Sequence, residues 1–208
     1  MTQIDRKAHW EQVYAERSPL EVSWYQSEPA LSLALIRCSG VSVAEPIVDV
    51  GGGASTLVDG LLAAGYQRVA VLDISTQALT HARRRLGAMA EQVEWYEADV
   101  TAFVPPQRFA LWHDRAVFHF LTDEASRLGY RLSLERALLP GGRVIIAAFG
   151  IGGPTRCSNL VVVNHDAASI GAALGDGFQW IESVDETHVT PRGNSQLFGY
   201  HQFVRAMR

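Results

Sequence analysis

"IVDVGGGAS", Ile47 to Ser55, runs an apolar strand with one late aspartate, Asp49, into three consecutive glycines and then into a helix. Gly51, Gly52 and Gly53 let the chain turn tightly out of the strand and leave no Cβ between the backbone and an approaching ligand. The start of the following helix offers unpaired N–H groups to a polar or anionic ligand group. Alone, such a turn also occurs in α/β proteins that bind nothing, so the stretches around it must narrow the reading.

Outward from the turn, short β-branched runs trade places with helical patterns: "PIVDV", "STLVDGLLAAG", "RVAVLDI", "STQALTHARRRLGAM", "QVEWYEAD", "FALWHD", "DEASRLGYRLSLERALL" and "GGRVIIAAF". Apolar strands alternating with helices imply parallel βαβ units covered on both faces, a doubly wound α/β fold. Ser75 stands where an N-cap belongs, and Gly65 and Gly87 where helices stop. "LPGGR", Leu139 to Arg143, reads as a turn from helix to strand. Beyond it, Asp166 to Gly175 reads as a helix, and "FQWIESVDETHV" and "SQLFGYHQFVRAM" as strands joined only by "TPRGN". That spacing predicts a C-terminal antiparallel hairpin.

With 208 residues, 48% hydrophobic and 19% charged, the chain suits a single domain with one well-filled core. Residues 1–45, carrying Trp10, Tyr14 and "SWYQ" (Ser23 to Gln26), read as an N-terminal helical cap over the active site. Apolar runs are of strand length and "MTQIDRKAHW" is polar, so neither a membrane span nor a signal peptide is expected, and a cytoplasmic location is. A net charge of -4 argues against nucleic acid as partner. Cys38 and Cys157 form no C-x-x-C pair and no disulfide framework, so a structural zinc site is not expected; a monomer or weak dimer is.

The acid after the turn sharpens the ligand. Asp73 closes "RVAVLDI", 22 residues after Gly51, at the spacing of a carboxylate that accepts from ribose hydroxyls. A dinucleotide fingerprint would need glycine where Thr56 stands. Asp49, two residues ahead of Gly51, suits a ligand with an amino group and a sulfonium better than one with two phosphates. That describes S-adenosylmethionine. Asp99 in "YEADV" ends the next strand, at the carboxyl edge where open sheets bind ligands, within reach of an adenine amine.

"VDVGGGAS", "VLDIS", "EADV", "LWHDRAVFHFL" and "LLPGGRVII" resemble, in order and spacing, the class I S-adenosylmethionine-dependent methyltransferases over roughly Pro46 to Phe149. "HWEQVYAERSPLEVSWYQSEPALSLALI" and "HDRAVFHFL" are similar to a bacterial group related to thiol or thiopurine methyltransferases and small protein-lysine methyltransferases. The resemblance implies a Rossmann-like seven-stranded sheet in the order 3-2-1-4-5-7-6. It places Asp49, Gly51, Gly52 and Gly53 around the methionine part, Asp73 and Ile74 at the ribose, and Asp99 and Val100 at the adenine. His113 and Asp114 would line the transfer site. Ser55 stands where the family commonly has a third glycine.

The remaining candidates have two readings each. His113 and His119 have the side chain for a general base at neutral pH, if the acceptor arrives protonated, but His119 could equally pack under a lid. Trp24 or Tyr25 could cover the sulfonium, since a ring face attracts a cation. Trp10 and Tyr14 share a helix face, which by default means core. Arg115 reads as a partner for a carboxylate, Cys157 as a structural thiol and "ARRRL" as a solvated face. The expected activity is methyl transfer to a small, thiol-like molecule, with protein lysine as the rival acceptor. A nicotinamide-dependent oxidoreductase is disfavoured by Thr56 and by the single lysine, Lys7, which excludes a Tyr-x-x-x-Lys pair. A non-catalytic nucleoside-binding module is the third possibility.

Overall fold

The computed structural model describes residues 5–207; residues 1–4 of the expected cap and Arg208 lie outside them. Seven strands form the main sheet: β1 (Ile47–Val50), β2 (Val69–Asp73), β3 (Val93–Glu97), β4 (Phe109–Arg115), β5 (Leu138–Phe149), β6 (Phe178–Val189) and β7 (Ser195–Arg205). Their order is β3-β2-β1-β4-β5-β7-β6, as expected. The first five run parallel, and β7 pairs antiparallel with both β5 and β6.

Alternate side chains on each strand leave on opposite faces, so the apolar strands feed two cores. Val48, Val50, Trp112, Val144 and Ile146 meet α5 (Glu124–Ala137) and α6 (Ala167–Leu174) on one face. On the other, Ile47, Val69, Leu111 and Ile145 meet α2 (Ala30–Cys38), α3 (Leu57–Ala63) and α4 (Thr76–Leu86). Caps fix the helix starts: Ser75 accepts from Ala78 N, and Asp166 and Ser169 form a capping box on α6.

Two expectations need correction. "LPGGR" is not a turn ahead of a strand. Leu138 already pairs with Phe109, the register then slips so that Arg143 faces Leu111, and Gly141 takes φ +73° inside the resulting bulge. The N-terminal region also divides. α1 (Arg6–Glu16) packs against α4, and with residues 22–26 it borders the cavities described below. By contrast, α2 inserts Leu35 and Ile36 beside Ile47 and Leu57 and is a layer of the core. A two-residue hairpin that the reading had not anticipated, Arg156–Cys157 with Leu160–Val161, turns through Ser158 and Asn159 at positive φ.

Candidate active site

The carboxyl ends of β1 to β4 lie side by side, and a cavity of about 730 Å3, part of it open to solvent, lies over them. Each strand end contributes to its wall: Val50 and Gly51, then Leu72 to Ile74, then Ala98 to Val100, then Arg115 to Val117. This is the edge at which open parallel sheets hold ligands. Its size suits a nucleoside-sized molecule.

Asp73 is buried in that wall, with Oδ1 accepting from Ser75 N at 2.8 Å. Burial, reinforced by the charges of Asp49 and Glu11, pushes its carboxyl up to about 7 against the Ser75 N–H that pulls it down. Gly53 is forced to be glycine by this acid, because a Cβ there would collide with Asp73 Oδ2 and with Ala78. Asp99 also lines the cavity, but its Oδ1 is engaged by Thr101 N at 2.8 Å and Thr101 Oγ1 at 2.7 Å, and its Oδ2 faces Arg6 at 3.9 Å.

Aromatic rings of the N-terminal region close the top. Trp24 stands edge-on to Trp10 and to Tyr14, at 5.6 and 6.3 Å between centroids, and its Nε1 donates to Tyr14 Oη at 3.2 Å. Glu11 fixes α1 above the site by accepting from Thr76 N at 2.8 Å and from Gln77 N and Ser75 Oγ at 3.1 Å, a carboxylate placed at the positive end of α4.

Tyr14, Trp24, Gly51 and Arg115 also line a second cavity of about 540 Å3, whose wall includes Ser32, Asp49, Gly52 and His113. Asp49 and His113 are register partners on β1 and β4, so their side chains leave the same face. His113 Nδ1 donates to Asp49 Oδ1 at 2.7 Å, and Ser32 Oγ meets Nε2 at 3.0 Å. Asp49 Oδ2 is buried without a hydrogen-bond partner, directly under Gly52, where any side chain would displace it.

Asp114 and His119 do not line the site, contrary to expectation. Asp114 follows His113 on one strand and therefore points into the opposite core. There Oδ1 accepts from Val117 N and Phe118 N at 3.0 and 3.4 Å, and Oδ2 from Tyr130 Oη at 2.8 Å. Burial raises this carboxyl to about 7 against those donors. His119 is fully buried among Phe120, Phe149 and Phe198, its Nδ1 accepting from Phe149 N at 3.3 Å. Burial lowers it to about 3, with the charges of His165 and Arg115 acting in the same sense, so it is neutral across the physiological range. The packing reading of His119 is the one the geometry supports. Arg115 meets its expected carboxylate, Glu186, at 3.4 Å, and also donates to Tyr200 Oη at 2.9 Å and stacks on Phe198.

Sequence reasoning passed over Trp10 and Tyr14 as core residues, and it had no signal for Arg6 or Ser32. Trp10 and Tyr14 do share a face, as their spacing says, and that face is a cavity wall.

The donor set fits an adenosyl amino acid. Apolar walls can sandwich a base, a buried acid lies at ribose spacing, a glycine cradle admits backbone contact, and an orphaned carboxylate oxygen calls for a cation. Such a sheet and site define a nucleoside-binding α/β enzyme. Residues 47–142 match the model of a methyltransferase domain family. A mouse (Mus musculus) eEF1A lysine and N-terminal methyltransferase is 22% identical over 171 residues, 82% of this chain, and the chain spans about a quarter (24%) of that relative. Among solved structures, one concerned with conversion of a disulfide bond into a thioacetal group during echinomycin biosynthesis superposes with TM-score 0.79 at 18% identity, over 97% of this chain and 93% of the other. The N-methyltransferase NodS of Bradyrhizobium japonicum in complex with S-adenosyl-L-homocysteine gives 0.69 at 18%, over 96% and 97%. Residues 47–142 thus carry a methyltransferase domain, and the chain as a whole shares the fold of these solved structures.

Proposed function

We propose that the protein methylates a small, thiol-like acceptor held under the aromatic cap. S-adenosylmethionine, when bound, supplies an electrophilic methyl group on a sulfonium. Asp73 and Ile74 would hold its ribose, Asp99 and Val100 its adenine, and Asp49 with Gly51, Gly52 and Gly53 its amino acid end. Trp24 and Tyr14 would exclude water from the space around the cation. Methyl transfer is an in-line displacement, in which orientation and desolvation do most of the work.

One observation carries the choice of acceptor: neither histidine expected as a base, nor Asp114 beside them, offers a free basic atom to a substrate. His113 is engaged at both nitrogens, and Asp114 and His119 are buried away from the cavities. An acceptor that sheds its proton unaided is therefore favoured. A thiol, with a pKa of about 8.5, does so far more readily than a lysine ammonium at about 10.4. Protein amines remain the second reading, favoured by the lysine and N-terminal activity of the mouse relative; an α-amine, at about 7.7 to 8.0, meets the same criterion.

The test is to incubate the protein with methyl-labelled S-adenosylmethionine and a cell extract split into small-molecule and macromolecular fractions, with Asp73→Ala as control. Label in the small fraction, reproduced with simple thiols, supports the proposal. Label in protein, sensitive to Asp73→Ala, transfers the assignment to protein amines.

A further inference from the structure

We infer that Ser32 and His113 are positioning residues that preset Asp49 for the amino group of the cofactor, so that a buried Ser32–His113–Asp49 chain sets the preference for ligands carrying an amino acid end. The inference rests on Asp49 holding that end of the cofactor. All three side chains are almost inaccessible, at 1, 1 and 2%. A carboxylate this deep is costly unless both oxygens find donors. His113 serves Oδ1, and Oδ2 has none.

The glycine turn shapes the space around this oxygen. Gly52 leaves the space beside Oδ2 open, and both Asp49 and Gly52 line the second cavity, next to the glycine turn. An ammonium placed there would satisfy the orphaned oxygen with a charge-assisted hydrogen bond. Because a carboxylate only accepts, His113 donates to Asp49 from Nδ1, and the Ser32 hydroxyl holds the ring at Nε2. That second bond fixes the ring plane, and with it the rotation of the Asp49 carboxyl, in the way an outer partner orients a histidine that serves a site. Ser32 can do this because α2, which carries it, is anchored in the core by Leu35 and Ile36. Nothing in the glycine motif itself requires a serine from a helix ahead of β1.

The test is calorimetric titration of the protein with two ligands, S-adenosylhomocysteine and 5′-methylthioadenosine, which share the adenosine and the thioether but differ in the amino acid end. Ser32→Ala is expected to weaken S-adenosylhomocysteine roughly tenfold, the cost of about one hydrogen bond, and to leave 5′-methylthioadenosine within about twofold. His113→Leu should act the same way and more strongly. Ser32→Thr and His113→Asn, which restore a donor or acceptor near the same place, should recover much of the difference. Thermal unfolding checks that each variant is folded, and Ser32→Ala keeps the test open if His113→Leu is not. Equal losses for both ligands, or none for either, overturn the positioning role. Wild-type protein that binds neither ligand overturns it together with the cofactor assignment beneath it, and the wild-type titration alone separates that failure from the first.

Discussion

His113 and Asp114 are neighbours in the chain and end on opposite faces of β4, and the contrast between those faces explains most of the site. On the His113 face, polar groups are buried but incompletely satisfied: Asp49 Oδ2 waits for a donor beside a cavity. On the Asp114 face every carboxylate oxygen is served from within, by two backbone N–H groups and the Tyr130 hydroxyl, which itself accepts from Trp112 Nε1 at 2.8 Å. On one face a carboxylate oxygen is buried without a partner; on the other the carboxylate is engaged at both oxygens and holds the turn after β4 in shape. Ala116, at φ +67° in that turn, shows how tightly it is bent, since an alanine enters this region only when its surroundings compel it.

Substitutions at the two faces should therefore separate stability from binding. The largest effect is expected from Asp114→Ala, which strands three donors in a core and should lower the unfolding free energy by about 3 to 5 kcal/mol in a denaturant titration. A variant of unchanged stability that had lost turnover would return Asp114 to the active site and dissolve the contrast. Asp73→Ala should do the reverse, weakening S-adenosylhomocysteine by about 1 to 3 kcal/mol in calorimetry with little loss of fold. Unchanged affinity would remove Asp73 from the ribose site.

A pH series sharpens the contrast further. His119 is held at about 3, below its unfolded value of 6.5, so the unfolded chain gains a proton first as the solution is acidified. Its contribution to stability is intact above about 6.5 and is lost as pH falls from there toward 3, at up to about 1.4 kcal/mol per pH unit. His119→Gln should thus lose less stability than wild type between pH 7 and pH 5.5; parallel losses would place the ring in a more open setting. The smallest effect is expected from Tyr14→Phe, which removes one part-buried hydrogen bond donated by Trp24 and should cost less than about 1 kcal/mol of cofactor affinity. A much larger loss would make the Tyr14 hydroxyl a direct ligand contact.

The doubly wound sheet, its terminal hairpin and the acids at its carboxyl edge were legible because each depends on local pattern: glycines after an apolar strand, an acid at a fixed distance, alternation of element types. Even the opposite fates of His113 and Asp114 follow from strand alternation, once β4 is taken to include both. His119 was harder, since the sharp turn at Ala116 sends the chain back into the core before the ring is reached. Ser32 and Arg6 were out of reach. Their contacts, to His113 and to Asp99, join positions 81 and 93 residues apart, and no residue near either one announces its partner.

Lys7 lies on α1 and pairs with Glu97 at the end of β3, near the rim of the cavity over β1 to β4, and no other lysine exists in the 208 residues. Labelling chemistry directed at side-chain amines consequently has one address on the whole surface, and that address rides on the aromatic cap. A dye or spin probe attached there would report on the surroundings of the cap beside Glu97 at the sheet edge without any engineered cysteine.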